Sequence, residues 1–371
     1  MFRDKPLHFV SMDTPFPPSY GGVIDVFFKL QAFHQLGVKV YLHVFGFKEN
    51  KESGLEKYAE KVYYYPIKQN PFLVFNKSPF SVCSRNGNKL FENITKIDAP
   101  IFFESLKTTD IIRKFNLSNQ KKYLRLHNIE QNYFEGLALS ETNILKRVMY
   151  YLEAKKYIKY EPIMSHFDQI FTLSNYEQDY IYQTFSKGKF IPVFHGNNTF
   201  FNLKGCGHYA LYHGDLRAAD NRRAVEFLID VFNDIDYPLI IASSSKQAWV
   251  EDKIVGRKNI KFIYLEDFKH LLTLFKNAQM NISWSFQQSG TKLKVVNALF
   301  NSRYSIINDN VIDDDHIRQL CIEVKNKKEL IEQINLLKNK PFIASETYKS
   351  ILETYLNDRM NAKNILNEIF S

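Results

Sequence analysis

Apolar and polar positions run along this chain in short blocks whose period switches repeatedly between that of a strand and that of a helix. LHFVSM (7–12) is a continuous apolar run of the kind a strand covered on both faces shows, and it ends in the polar, proline-rich loop DTPFPPSYGG. Beyond it Val23, Phe27, Leu30, Phe33 and Leu36 recur at helical spacing. Gly37 supplies a stop, and VKVYLHVFG (38–46) reads as the next strand. Further strands are predicted at KVYYYPI (61–67), APIFFES (99–105), KKYLRLHN (121–128) and QIFTLS (169–174), with KFIPVFHGNN (189–198) as a last strand and exit. In the second half the strands YALYHGD, PLIIASS, IKFIYL, MNISWSF and YSIIN alternate with helices starting near Asn221, Lys246, Asp267 and Thr291. One or two amphipathic helices close the chain.

Strand–helix alternation of this period predicts parallel, doubly wound sheets, an α/β fold. The stretch NNTFFNLKGCGH has turn formers and no period, which puts a linker near 198–208. Two Rossmann-like domains, 1–200 and 201–371, suit a 371-residue chain, because single cores rarely grow past roughly 250 to 300 residues. Such sheets bind ligands beyond the C-terminal ends of their strands, so the strand-to-helix loops are where chemistry is expected.

An apolar content of 45% and an aromatic content of 15% exclude a mainly disordered chain. The formal charge of +9 suits a polyanionic partner, whether nucleic acid, an anionic membrane surface or a phosphorylated substrate; lysines spread over solvated faces would give the same balance. Nucleic acid is disfavoured because the basic residues are dispersed instead of forming an aromatic-interleaved stripe. Cys83, Cys206 and Cys321 are too few and too scattered for a disulfide framework or a zinc site, as in a reducing compartment. The N-terminal apolar run is too short for a signal peptide and no 18 consecutive residues are apolar, so a cytoplasmic protein is expected. ILKRVMYYLEAKKYIKY (144–160) is an amphipathic basic helix candidate, suited to an anionic lipid surface or to ordinary solvent. The acidic run 313–315 has nothing to position a further ligand group and is no metal site.

Four loops carry candidate chemistry. In PPSYGGVIDVF the paired Gly21 and Gly22 let backbone approach a ligand just before a helix start at Val23, or simply make a tight turn. In RLHNIEQNY, His127 follows a strand with Arg125 and Glu130 close by, as a hydrogen-bonding group or a structural one. In YHGDLRAADN, Gly214 opens a turn in which Arg217 can pair with phosphate oxygens, while Asn221 reads as the cap of the following helix. In SWSFQQSGTKLKVVNALF, Ser289, Gly290 and Thr291 open a helix on which Gly290, Lys294 and Asn297 share one stripe, with Lys292 adjacent. Backbone donors, two lysines and an amide would suit a sugar diphosphate; a solvated polar face is the plainer alternative.

Taken together PPSYGG, LRLHNIEQNYF, FDQIFTLSNYEQDYI, FIPVFHGNN, YHGDLRAADN and SGTKLKVVNALF resemble, in that order, the elements of GT-B glycosyltransferases, in particular retaining glycosyltransferase family 4. The resemblance spans nearly the whole chain and implies two domains facing across a cleft. It implies donor-phosphate contacts from Gly21 and Gly22 and a donor-sugar contact from His127, the catalytic-site candidate. Gly214 and Arg217, with Ser289, Gly290, Thr291, Lys292, Lys294 and Asn297, would hold the donor. It further implies transfer from a nucleoside-diphosphate sugar to a saccharide or lipid-linked precursor of a surface polysaccharide, with retention and without a cofactor or metal. The protein would be cytoplasmic, with peripheral contact at an anionic membrane. The chain departs from the family where Ser289 and Asn297 stand for usual glutamates and where Asp215 directly follows Gly214. A nucleotide-sugar 2-epimerase and a degenerate, non-catalytic scaffold are the rival readings.

Overall fold

Because successive side chains of a strand point to opposite faces, an apolar run with no polar alternation has to be covered on both sides. This is what the first sheet shows in a computed structural model that describes residues 2–18, 21–46, 54–85, 87–141, 143–287 and 292–371. In the strand β1 (Pro6–Ser11), Leu7 and Phe9 enter one core with Phe33, Phe102 and Phe171, while Val10 enters another with Phe103, Leu124 and Ile170. The chain divides into two units, Met1–Gly196 with Leu356–Ser371, and Asn197–Tyr355.

In unit 1, β1 is joined by β2 (Lys39–Gly46), β3 (Lys61–Pro66), β4 (Ile101–Glu104), β5 (Lys122–Arg125), β6 (Gln169–Thr172) and β7 (Lys189–Phe190) in the parallel order β3-β2-β1-β4-β5-β6-β7. The order reverses between β1 and β4. Loops leaving these two strands therefore diverge, and a crevice opens at their C-terminal ends. Unit 2 repeats the plan with β8 (Tyr209–His213), β9 (Leu239–Ser243), β10 (Ile260–Tyr264), β11 (Ala278–Ser283), β12 (Tyr304–Ile307) and β13 (Ile322–Glu323) in the order β10-β9-β8-β11-β12-β13, all parallel, with its reversal between β8 and β11. The expected α/β class with two Rossmann-like sheets is thus present.

Gly37 stops the first helix, Gly21–Gln35, as its position suggests: its φ is +84°, and a Cβ there would lie 3.2 Å from the Arg3 Cα. Four expectations are revised. Gly21 and Gly22 are not in a turn before the helix but in its first turn, with helical backbone. KFIPVFHGNN is strand only over Lys189–Phe190, because side chains take the backbone groups a ladder would have used. Arg125 donates to the Ile191 and Pro192 carbonyls, Asp25 accepts from the Phe194 N–H, and Asp358 accepts from the N–H groups of His195 and Gly196. The unit boundary falls at Gly196/Asn197, a few residues before the expected linker, and the terminal helix Asp358–Ile369 belongs to unit 1 instead of completing a 201–371 domain. It does so because Ala362, Ile365, Leu366 and Ile369 are buried in the core that holds Val26 and Leu30 of the first helix. The fourth revision, at Asn221, belongs to the site.

Candidate functional site

The crevice of unit 1 holds a chain of charges. Asp25 and Lys29 lie one turn apart on the first helix, facing inward among Val26, Phe33 and Leu30, and Glu104 ends β4. The Lys29 Nζ donates to Asp25 Oδ2 at 2.7 Å and to Glu104 Oε1 at 2.6 Å. Arg125, the last residue of β5, reaches Asp25 Oδ1 at 3.3 Å, and the His127 Nε2–H donates to Glu104 Oε2 at 2.8 Å. Lys29, Glu104 and Arg125 are fully buried. Burial alone would raise the Asp25 carboxyl, but the Lys29 ammonium, the Arg125 guanidinium and His127 together hold it far below the usual carboxylate range. His127, with 7% of its side chain exposed, ends the chain, and its Nδ1 has no hydrogen-bond partner among the described residues.

Asp25, Glu104 and His127 also offer ligand atoms within 4.8 Å of one another, as a metal would require. The Lys29 ammonium already bridges the two carboxylates, and Arg125 compensates the second charge, so a cation entering there would have to displace Lys29. The donor set fits an internal ion network better than a divalent-metal site.

Unit 2 gathers its groups at the corresponding reversal. Tyr212, buried in β8, donates its hydroxyl to Asn221 Oδ1 at 3.3 Å and to the Asn221 carbonyl at 3.2 Å. Its ring lies 5.0 Å from the Lys294 Nζ. Asp220, in the first turn of the helix Ala219–Val231, accepts from Ser285 Oγ at 2.7 Å and from the Phe286 N–H at 2.8 Å, fastening the loop after β11 to the helix after β8. Lys294 lies in the first turn of the helix Leu293–Asn301 and has no hydrogen bond or ion pair among the described residues. Burial first, then the neighbouring Lys292 ammonium, push it down to about 7 against the opposing pull of Asp220. Burial likewise lowers Lys292, and burial with the Lys294 charge pushes the His213 imidazole down to about 3. Lys294, buried beside a second ammonium and without an ion pair among the described residues, is a charge that an anionic ligand would stabilise.

The remaining predicted residues fall as follows. Asn221 is not the cap of its helix: Ala218 holds that position, and the Asn221 Nδ2 donates back to the Asp215 carbonyl at 2.8 Å, closing the turn. Gly214 packs against it, since a Cβ would lie 3.3 Å from the Asn221 Cγ. Arg217 is exposed and chelated by the Asp215 carboxylate, whose own proton affinity is lowered first by that hydrogen bond. The residue at odds with the family thus engages the arginine expected to bind phosphate. Asn297 is buried rather than on an open stripe, and its Oδ1 accepts from the Asn197 Nδ2 at 2.9 Å. Ser289, Gly290 and Thr291 lie outside the described residues. Sequence reading passed over Asp25, Lys29, Glu104 and Asp220. The available signal was a charge inside an apolar block, as in VIDVFFKLQAF and PIFFES, where a charge has to be paired if the block is buried.

The sequence matches no protein-family model. It is 26% identical over 389 residues to a Klebsiella pneumoniae protein described as an uncharacterized 44.6 kDa protein in the cps region, covering 97% of this chain and 98% of that one. Among solved structures, sucrose-phosphate synthase from Thermosynechococcus elongatus is similar over 98% of both chains with a TM-score of 0.69 at 12% identity. The fold is GT-B. A trehalose-phosphate synthase from Burkholderia xenovorans, solved with glucose-6-phosphate, matches 99% of this GT-B chain and 100% of its own with a TM-score of 0.64 at 8% identity. Anabaena HepE, solved with UDP, matches 99% and 96% with a TM-score of 0.57 at 12% identity. No helix among the described residues of the GT-B chain is long and apolar enough to cross a membrane.

Proposed function

We propose that the chain transfers a sugar from a nucleoside-diphosphate sugar to a hydroxyl of a saccharide or lipid-linked glycan precursor, in the making of a surface polysaccharide. The observation that carries this reading is Lys294, an ammonium without an anionic partner among the described residues, at the strand-order reversal of unit 2. A diphosphate there would supply the missing counter-charge. In the transfer, the bond from the anomeric carbon to the diphosphate oxygen breaks, the carbon bonds to the acceptor oxygen, and the acceptor proton leaves with the diphosphate or to solvent. Negative charge grows on the leaving diphosphate, so fixed cations lower the barrier and no metal is needed in the proposal. Lys292 and Lys294 supply that charge; Gly290 and Thr291, outside the described residues, are assigned as donor contacts from the sequence resemblance alone. Arg217 would join them only by exchanging Asp215 for phosphate, Gly214 is a backbone contact in the same turn, and Ser289, outside the described residues, is assigned from the sequence resemblance alone. His127 is the hydrogen-bonding group for a sugar hydroxyl, and Gly21 and Gly22 offer backbone donors at a helix start.

Retention at the anomeric carbon, and a cytoplasmic setting where nucleotide sugars are made, belong to the same proposal. The GT-B fold and the cps-region relative support it. The absence of both usual glutamates, with Asn297 already bonded to Asn197, favours a second reading, a binding protein that turns nothing over. Incubation with a labelled nucleotide sugar and an acceptor extract separates the readings. Transfer releases free nucleoside diphosphate together with labelled glycan, an epimerase interconverts sugars without an acceptor, and a scaffold binds donor and releases nothing.

A further inference from the structure

The helix Ile144–Tyr160 turns its more apolar face to solvent. Inward it buries Glu153, Ala154, Tyr157 and Tyr160, whereas Ile144, Leu145, Val148, Met149, Leu152 and Ile158 are each at least half exposed. At roughly 100° per residue those six fall within about half of the helix circumference. Lys155 and Lys159 sit inside the same arc, Lys146 and Arg147 lie beyond its edges, and all four are exposed. Next to the helix, Phe72 and Phe75 stand 72% and 82% exposed on the turn Pro71–Phe75, which Lys156 ties down by donating to the Val74 carbonyl.

The acids nearby do not cancel this charge. Glu153 is buried and bonded to Lys156 and to the Phe80 N–H, Glu130 is buried, and the half-buried Glu141 accepts from the Asn143 N–H, leaving Glu135 exposed. Lys146, Lys155 and Lys159 form no ion pair among the described residues, and Arg147 donates only to the Glu141 carbonyl; large apolar side chains interleaved with such cations match a surface that is apolar beneath and anionic on top. A second copy of this chain fits worse, because a two-fold pairing would lay each basic arc against its own image.

We propose that this face of unit 1 seats the protein on an anionic lipid surface, its apolar side chains entering the boundary between headgroups and acyl chains and Lys146, Arg147, Lys155 and Lys159 pairing with lipid phosphates. The inference stands apart from the transfer reaction and does not need it.

Vesicle flotation tests it with the full-length protein. Against phosphatidylcholine vesicles carrying roughly one-third phosphatidylglycerol the bound fraction is expected to exceed that on phosphatidylcholine alone about tenfold, and to fall steeply between about 0.1 and about 0.5 M salt. Leu145→Ser with Val148→Ser, and separately Lys146→Glu with Arg147→Glu, each lower it about tenfold. The thermal melt stays that of the parent, because all four positions are exposed, and Lys261→Glu on unit 2 leaves binding unchanged. Failure to float, equal binding to neutral vesicles, or variants that float like the parent would overturn the proposal. So would a dimer by light scattering that these substitutions dissociate while flotation is absent.

Discussion

Lys294 shows how one residue carries a functional argument. Its proton is held weakly because burial and Lys292 disfavour the charge, which places its titration near 7 in the ligand-free protein. An anion at the ammonium raises that value. Below about pH 7 the lysine is already charged and binding needs no proton, whereas above it each binding event has to take one up. Affinity for a nucleoside-diphosphate sugar, whose diphosphate does not titrate in this range, is therefore expected to fall as pH rises above about 7, by up to about tenfold per unit. Well above pH 7, calorimetry in buffers of different ionisation enthalpy would show close to one proton taken up, and Lys294→Arg would flatten the profile. A pH-independent affinity in the parent would count against an anion at this lysine. Lys29 makes the complementary case within unit 1. Replacing it by Met leaves Asp25 and Glu104 buried without their shared cation, and should cost about 3–5 kcal/mol in urea unfolding of that unit. A loss below about 1 kcal/mol would mean that the network relaxes or neutralises itself.

At the scale of elements, what the sequence made legible were the features set by period. The strands of both sheets and the Gly37 stop lie within a few residues of where alternation and glycine put them, because periodicity records which face is buried. Less legible were features set by partners distant in sequence. Nothing local in FIPVFHGNN says that Arg125, Asp25 and Asp358 will take its backbone groups and keep it from extending β7. Nothing in NAKNILNEIF says which of two cores its apolar stripe enters. The site divides the same way. Lys294 could be read from the chain, while its companions on Tyr212 and Asp220 could not, since those contacts join β8, β11 and two helices. One consequence concerns the last helix. A chain ending at Tyr355 would leave Val26 and Leu30 uncovered, so residues 1–196 are expected to become the segment cut first in limited proteolysis, with unit 2 the longer-lived fragment. Equal protection of both units would contradict the place assigned to that helix.

For the whole molecule, two sheets of like topology each put their polar groups at a strand-order reversal, and the GT-B fold accounts for that repetition. The two reversals differ in charge. Unit 1 closes its ions upon themselves and leaves a histidine at the end of the chain, while in unit 2 Lys294 has no ion pair among the described residues. The account rests on what fills that second place. Titration calorimetry with a panel of uridine, guanosine and thymidine diphosphate sugars, on the parent and on Lys294→Ala, tests it most directly. The account predicts that at least one donor binds the parent and that the variant loses roughly 1.5–3 kcal/mol of affinity, as for a hydrogen bond to a charged group. Absence of binding at millimolar donor, or a variant that binds as tightly as the parent, would contradict it.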